Sequence, residues 1–380
     1  MIRTDSSPAE LRARGGLKWN FYPEDVLAAW VAEMDFGLAE PIATALHAAV
    51  DRGDTGYFYP PAVSATAEAA VSYWSRAFSW KVKPERVLPA PDVVEGIRRA
   101  VELLTRPGSP VILHTPVYYP FFSMVERAHR ELIAVPSTTD NEWRYHLDLE
   151  AIDAAFSQGA GSLVLCHPWN PTGRVFSPEE LAEVIGIATA HGGRVISDEI
   201  HAPLTYHGAV HSPAAAIDPE TVITVTSASK AWNLPGLKCA QVVLTNDDDL
   251  ERWNEYFTPE KVGVSTFGLI ANTAAYASGD IWLQEVLEIL ASNRKLLGEL
   301  IASQLPAVRY YPPEATYLAW LDFGGYGIQN PAAFFLENAK VAVSDGGPFG
   351  AVGGGYARLN FATTPSILEQ IVGRMAAAVA

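Results

Sequence analysis

The sequence predicts an α/β protein with a large domain, built on a mostly parallel seven-stranded sheet flanked by helices, and a smaller α+β domain. A chain of 380 residues has room for two domains. Between about residues 86 and 246, seven short apolar runs alternate with helical patterns, as in a sheet covered on both faces. The pattern changes after about residue 281. We therefore predict a large domain over 46–281 and a discontinuous small domain over 1–45 and 282–380.

The seven apolar runs have strand length and are rich in Val, Ile or Leu. They are RVLPA (86–90), PVILHT (110–115), ELIAVP (131–136), SLVLC (162–166), GRVISD (193–198), TVITVTS (221–227) and CAQVVLT (239–245). Between them, residues 91–104 have apolar positions at helical spacing. Residues 177–192 begin with a Ser-Pro-Glu-Glu capping pattern and end in glycine, which also predicts a helix.

The C-terminal part combines helices with a few short strands. A long amphipathic helix is predicted over 281–305 and a last helix from about Pro365 onward, with the runs VRYY, TYLAWLDF, KVAVSD and YARLNFA between them. The first 45 residues contain no clear strand–helix unit, so we expect them to pack with this part.

Composition and charge exclude several classes of function. The chain has 27 Lys and Arg against 43 Asp and Glu, a formal net charge of −16, which disfavours binding to nucleic acid or to an anionic membrane. Two cysteines in apolar segments, Cys166 and Cys239, are expected to be reduced and buried. There is neither a membrane-spanning run nor a secretory signal at the N-terminus, so we expect a soluble cytoplasmic protein.

Six polar residues follow the predicted parallel strands at their carboxyl ends, where α/β sheets bind ligands. Taken singly, each has an ordinary structural explanation: a turn for N-P-T-G, a helix cap for the aspartate, a core histidine and a surface lysine. Together they predict a binding site. They are Asn170, Asp198, His201, Ser227, Ser229 and Lys230.

A lysine, a carboxylate and an asparagine at one sheet edge are the groups that pyridoxal phosphate chemistry requires. Lys230 supplies an amine for a Schiff base with the cofactor aldehyde. Asp198 would keep the pyridine nitrogen protonated, and Asn170 would hold the ring hydroxyl. The phosphate would bind the helix start at 91–104, at the amides of Val93 and Val94.

Several longer motifs resemble those of the class I/II (fold type I) pyridoxal-phosphate aminotransferase superfamily. The similarity runs in order from about residue 18 to residue 365, and it is greatest to the cystathionine β-lyase and cystalysin branch of C–S lyases. The motifs are SASKAWNLPGLKCA, SDEIHAPL, HPWNPTGRVF, WVAEMDF, GYFYPP, TPVYYPFF and ATYLAWLDF.

The resemblance implies the same cofactor roles for Lys230, Asp198 and Asn170, and it adds Tyr118 as the residue that stacks on the ring. It places His201 beside the cofactor, where many aminotransferases carry Tyr and the lyase branch carries His.

The resemblance also implies residues for the phosphate, the substrate and the partner subunit. Ser227 and Lys238 fall where the superfamily contacts the phosphate, and Tyr57 would reach it from the neighbouring subunit of a homodimer. Arg358 matches the arginine that binds the substrate α-carboxylate, where Asn170 would also contribute. The planar fork of an arginine suits a carboxylate.

Two positions depart from the family pattern: Asp92 stands where the family usually has Gly, and Ala315 replaces a common Gly. A carboxylate before the phosphate-binding turn is electrostatically unfavourable unless it turns away as a helix cap. Lys238 is not general in the lyase branch.

Other motifs give weaker signals. The glycine-rich stretch 345–355 lacks the ending of a nucleotide loop, and we interpret it as a mobile loop that delivers Arg358. His207 and His211 lack the further ligands of a zinc site, so a polar surface loop is favoured and no metal is expected.

The leading functional hypothesis is a lyase that cleaves cystathionine, or related S-substituted cysteines, to a thiol, pyruvate and ammonia. Lys230 would be the base, and Lys230 or Tyr119 the acid that protonates the thiol. An aminotransferase acting on an amino acid and a 2-oxo acid is the alternative, because its first half-reaction uses the same residues. A regulatory protein on the same fold is a more distant alternative.

Overall fold

The computed structural model describes residues 2–256 and 263–380. Its strands are β1 Leu27–Ala29, β2 Val87–Ala90, β3 Val111–Thr115, β4 Leu132–Pro136, β5 Thr138–Thr139, β6 Tyr145–His146, β7 Ser162–Cys166, β8 Arg194–Asp198, β9 Val222–Thr226, β10 Ala240–Val243, β11 Arg309–Tyr310, β12 Leu318–Asp322, β13 Val341–Asp345 and β14 Tyr356–Asn360. The helices of the described residues are α1 Pro8–Ala13, α2 Leu17–Asn20, α3 Glu40–Arg52, α4 Pro60–Phe78, α5 Val93–Leu104, α6 Pro120–Arg127, α7 Leu149–Ser157, α8 Pro178–Ala190, α9 Asp247–Tyr256, α10 Thr266–Ser278, α11 Asp280–Gln304, α12 Pro331–Asn338 and α13 Pro365–Val379. Among these helices, none combines the length and the apolar character that a membrane crossing needs.

The large sheet has seven strands in the order β2-β10-β9-β8-β7-β3-β4. The pairs from β9 through β4 are all parallel, whereas β10 runs antiparallel to both β9 and β2. Each strand coincides with one of the seven predicted runs. The mostly parallel α/β sheet is therefore confirmed.

The central strands are apolar throughout because both faces of the sheet are covered. Every residue of β7 and β9 is buried, and in β8 all but the first residue are buried. Helix α5 packs across β8, β9 and β10. Helix α8 begins with a capping box in which Ser177 and Glu180 exchange hydrogen bonds, as its sequence predicted.

A second sheet has five strands in the order β1-β13-β14-β12-β11, and these strands come from residues 27–29 and 309–360. Strand β1, which sequence analysis missed, pairs in parallel with β13, so the N-terminal segment joins the C-terminal sheet as expected. The predicted domain boundary at residue 46 falls inside helix α3. The division into 46–281 and the flanking segments stays a prediction.

A buried ion pair anchors the N-terminal segment. The amine of Lys18 lies 3.0 Å from Asp35 Oδ1, and both side chains are almost fully buried. The indole of Trp19 donates to the same carboxylate oxygen at 2.7 Å. A buried charge is tolerated when it is paired and hydrogen-bonded. The segment 30–34 lies directly before Asp35, and it contacts the loop after β9 through the Met34 amide, which donates to Asn233 Oδ1 at 2.9 Å.

The core around the site-bearing strand should respond strongly to truncation. Ile196 in β8 is fully buried, and Ile196→Ala should lower the free energy of unfolding by about 2–5 kcal/mol, because it removes buried methylenes and leaves a cavity. Urea-induced unfolding followed by circular dichroism measures this loss. Ile281→Ala, at a side chain that is 75% exposed, is the matched control and should change stability by less than about 0.5 kcal/mol. Equal losses in the two variants would contradict the buried position of Ile196.

Candidate active site

A cavity of about 360 Å³ lies at the carboxyl ends of β7, β8 and β9, where the sequence placed the polar residues. Most of the predicted cofactor residues line it together. Its walls are formed by Ala32, Asp92, Val93, Val94, Glu95, Tyr118, Pro120, Arg127, Asn170, Asp198, Ile200, His201, Ser227, Ser229, Lys230, Pro235, Lys238 and Cys239.

Lys230 presents its amine inside this cavity. The amine donates a hydrogen bond to the carbonyl oxygen of Ala32 at 2.9 Å. Burial, followed by the positive charge of Arg358, lowers the pKa of Lys230 to about 8. A lysine with this pKa is partly neutral near physiological pH, and only the neutral amine is a nucleophile or a base.

Asp198 is the last residue of β8 and is 4% exposed. One of its oxygens, Oδ1, accepts a hydrogen bond from the amide of Ile200 at 3.1 Å. Burial raises the pKa of Asp198 to about 7, the Ile200 amide opposes this rise, and the neighbouring Glu199 adds to it. A carboxyl group in this state gains a full charge when a cation comes beside it.

Asn170 and Arg358 join the two parts of the fold. Asn170 follows β7, Arg358 lies in β14, and Nη1 of the arginine donates to Oδ1 of the asparagine at 3.1 Å. The other terminal nitrogen of Arg358 donates to the Trp30 carbonyl and to Ser344 Oγ, each at 3.2 Å. No carboxylate of the described residues forms an ion pair with this buried guanidinium, whose Nε also has no partner there. The group is therefore set to receive an anion.

His201 and Tyr118 line the cavity as neutral groups. Burial, and then the charges of Lys230 and Arg358, hold the pKa of His201 well below its usual value. Its buried Nδ1 has no hydrogen-bond partner in the described part of the chain. Burial raises the pKa of Tyr118 to about 12, so its phenol stays protonated.

The opposite end of the cavity lies at the start of α5. Asp92 is the N-cap of this helix, and its Oδ1 accepts from the Glu95 amide at 2.9 Å. The cap role anticipated for an aspartate at this position is therefore seen. Lys238 reaches the same carboxylate from the other side, with its amine 3.0 Å from Oδ2. The Ser227 hydroxyl donates to the Cys239 carbonyl and accepts from the Ser229 amide, so it acts within its own loop.

Two predicted residues lie apart from the residues that line the cavity. Tyr57 is fully exposed and borders a different cavity, of about 980 Å³, with the segment 263–267. Tyr119 is 45% exposed, and its ring packs against Tyr118 and Phe349. Within a single chain, Tyr57 therefore does not lie beside the predicted cofactor-binding residues.

Sequence analysis missed the part played by the segment 30–33. Its four carbonyl oxygens all accept hydrogen bonds from residues of the site or its surroundings. Asn360 donates to the carbonyls of Val31 and Glu33, each at 2.7 Å, and the Tyr317 hydroxyl donates to Ala32 at 2.9 Å. The motif WVAEMDF was a possible signal, but backbone acceptors leave no pattern of side chains.

The prediction that His211 lies in a polar surface loop is wrong. His211 is 4% exposed, and its Nε2 lies 3.0 Å from Glu199 Oε2. The ring stacks on His167, with the centroids 4.5 Å apart. Burial is possible because the buried Glu199, directly after Asp198, provides a hydrogen-bonded partner. In the described parts of the chain, no group of three or more potential ligands is arranged to hold a metal ion.

The residues of the cavity fit pyridoxal phosphate. A partly neutral amine suits the aldehyde, and a buried carboxylate with one oxygen free of donors from the described residues suits a protonated ring nitrogen. Val93 and Val94 lie in the first turn of α5 and line the cavity together with Lys238, which suits a phosphate. The fit rests on the donors and charges of this chain.

Comparison with known proteins agrees with this fit. A family model described as aminotransferase class I and II matches residues 16–375. The chain is 40% identical over 376 residues to the cystathionine beta-lyase of Corynebacterium glutamicum, with 97% of each protein covered.

Solved structures share the whole fold. A chain from Corynebacterium diphtheriae, described as a PLP-dependent beta-cystathionase, superposes with a TM-score of 0.93 at 40% identity over 98% of both chains. Cystalysin from Treponema denticola, which contains a pyridoxal 5'-phosphate cofactor, gives a TM-score of 0.91 at 25% identity over 100% of this chain and 99% of that one.

The buried state of Asp198 predicts a pH-dependent stability of the cofactor-free chain. Its pKa of about 7 lies above the ordinary value of 3.8, so the folded state binds the proton more tightly, and stability is lost as the pH rises through about 7. Asp198→Asn removes this loss while keeping an oxygen for the Ile200 amide. From pH 5 to pH 8, the variant should gain roughly 2–3 kcal/mol relative to the wild type in urea unfolding.

Asp140→Asn is the matched control. A hydrogen bond with His146 holds the pKa of the exposed Asp140 below its usual value of 3.8, so this carboxylate stays ionised from pH 5 to pH 8 and its own titration contributes no change in stability over this range. A stability difference between wild type and Asp198→Asn that stays constant from pH 5 to pH 8 would contradict the raised pKa.

Proposed function

Because the chain belongs to the class I and II aminotransferase family, and because its relative at 40% identity over 97% of its length is described as a cystathionine beta-lyase, we propose that it is a pyridoxal-phosphate-dependent lyase. It cleaves cystathionine or related S-substituted cysteines. One water molecule is consumed, and the products are a thiol (homocysteine from cystathionine), pyruvate and ammonia. The reaction takes place in the cytoplasm.

One observation carries this proposal: Lys230 and Asp198 line the same small cavity, and Arg358 donates a hydrogen bond to Asn170 in the wall of that cavity. An amine of lowered pKa, an acid of raised pKa and an unpaired guanidinium are each unfavourable in a folded protein. Perturbed groups of this kind concentrate at active sites. A cofactor aldehyde would react with the Lys230 amine, and a protonated ring nitrogen would pair with Asp198. A substrate carboxylate would pair with Arg358.

The chain binds and orients the amino-acid substrate through Arg358, which pairs with the α-carboxylate. The side chain of Asn170 accepts a hydrogen bond from Arg358. Its amide NH₂ would contact the ring hydroxyl of the cofactor, so that the cofactor and the substrate carboxylate are held in a fixed relative position. Tyr118 would stack on the ring face, and His201 would contact the cofactor in its neutral form. Val93, Val94, Ser227 and Lys238 surround the phosphate end.

Asp198 and Lys230 control protons in this reaction, and Tyr119 is an alternative proton donor. When bound, pyridoxal phosphate supplies an electron sink for the negative charge that develops at the substrate Cα. Asp198 holds a proton on the ring nitrogen. Lys230 takes the Cα proton as general base, and its amine, or the phenol of Tyr119, then donates a proton to the departing sulfur.

A direct assay separates the lyase from an aminotransferase. Purified protein mixed with cystathionine, without a 2-oxo acid, should release pyruvate and free thiol in equal amounts. Lys230→Ala should lower this rate by about 100-fold or more, because it removes the general base. Lys295→Ala, at an exposed lysine on α11, is the matched control and should have no effect.

The opposite results identify the alternatives. Turnover that requires a 2-oxo acid, with no pyruvate from cystathionine, would make the chain an aminotransferase. A purified chain with no visible absorbance from a bound imine and no turnover with any amino acid would leave a regulatory role.

The exposed position of Tyr57 supports a homodimer in which this residue serves the neighbouring active site. Its ring, fully exposed in one chain, would contact the cofactor phosphate of the partner subunit. Tyr59 on the same surface is also exposed, at 74%. Large exposed aromatic side chains close together are typical of interfaces.

Complementation between two defective chains tests this arrangement. Tyr57→Ala and Lys230→Ala should each impair activity. A mixed dimer, purified through two different tags, should recover about half of the wild-type activity per dimer, because one of its two sites then has both native residues. A mixed dimer that stays as inactive as its parents would place Tyr57 outside the partner's site.

A further inference from the structure

Asp92 holds two of the donors at the phosphate end of the cavity. Its Oδ1 accepts from the Glu95 amide at 2.9 Å, and its Oδ2 accepts from the Lys238 amine at 3.0 Å. Asp92 and Lys238 both line the cavity. One carboxylate therefore binds a first-turn amide and the cation, the two kinds of group that a bound phosphate uses.

Among the described residues, several charged groups at this end are already paired with one another. Lys238 is paired with Asp92, and the Glu95 carboxylate bonds to Arg98 and Arg99. Arg127 also lines the cavity and adds a positive charge. A phosphate dianion that binds the Val93 and Val94 amides would meet a carboxylate on the adjoining residue and would compete with it for Lys238.

We propose that Asp92 lowers the affinity of this site for the phosphate of its cofactor, so that the chain exchanges pyridoxal phosphate and is loaded according to the concentration of free cofactor. This inference rests on the proposed function. Asp92 weakens phosphate binding chiefly through repulsion by its charge, and its solvent-exposed contact with Lys238 adds a smaller effect.

The opposite role, in which Asp92 positions Lys238 for the phosphate, fits the structure less well. The side chains of Lys238 and Asp92 are 59% and 39% exposed. A pair that is so open to solvent fixes a long, flexible side chain only weakly. The negative charge stays beside the Val93 and Val94 amides wherever Lys238 moves.

The test replaces the charge and keeps the helix cap. Asparagine caps a helix about as well as aspartate, so Asp92→Asn should leave thermal stability nearly unchanged. Equilibrium dialysis of the full chain, freed of cofactor, should show pyridoxal phosphate bound about 5- to 30-fold more tightly by Asp92→Asn than by the wild type. This range is that expected from one negative charge acting on a dianion at the protein surface.

Two controls isolate the phosphate. Asp148 caps α7 through the Ala151 amide with the same geometry, and Asp148→Asn should leave the affinity for pyridoxal phosphate unchanged. Pyridoxal, which has the ring and aldehyde but no phosphate, should bind equally to the wild type and to Asp92→Asn.

The outcomes are distinct. Unchanged or weaker binding of pyridoxal phosphate to Asp92→Asn would overturn the inference, and so would an equal gain for pyridoxal. In both cases the wild type still binds the cofactor, and the proposed function stands. A wild-type chain that binds no pyridoxal phosphate at any concentration would instead overturn the proposed function itself.

Discussion

The site depends on a carboxyl group buried at the end of a central strand. Asp198 ends β8, between β7 and β9, and water hardly reaches it. Burial raises its pKa to about 7, which makes the ionised form costly until a cation lies beside it. The strands on either side of β8 hold this carboxyl group in its buried position. A protonated ring nitrogen is a cation that would compensate for the cost.

Two further charged groups, Lys230 and Arg358, also have only uncharged hydrogen-bond partners among the described residues. Lys230 donates to a carbonyl, and Arg358 donates to an amide oxygen, a hydroxyl and a carbonyl. The chain carries a formal net charge of −16, yet none of the described carboxylates pairs with this guanidinium. The proposed substrate carboxylate would supply that missing partner.

The two sheets meet at the site through one side-chain contact and through the backbone of a third segment. Asn170 follows strand β7 of the large sheet, Arg358 lies in β14 of the second sheet, and their side chains share a hydrogen bond of 3.1 Å. The segment 30–33 runs between them, and its carbonyl oxygens accept from Lys230 on one side and from Asn360 and Arg358 on the other. The N-terminal segment is therefore a part of the site, and it contains the buried pair of Lys18 and Asp35.

The sequence by itself determined the seven strands of the large sheet and the residues at their ends, because parallel strands are continuous apolar runs and their ligand-binding ends follow directly in the chain. It thereby named Lys230, Asp198 and Asn170. Only the tertiary structure decided that strand β1 joins the second sheet, that His211 is buried against Glu199 and that Asp92 holds Lys238. These contacts join residues between 12 and more than 300 positions apart in the chain, and no local periodicity records such pairings.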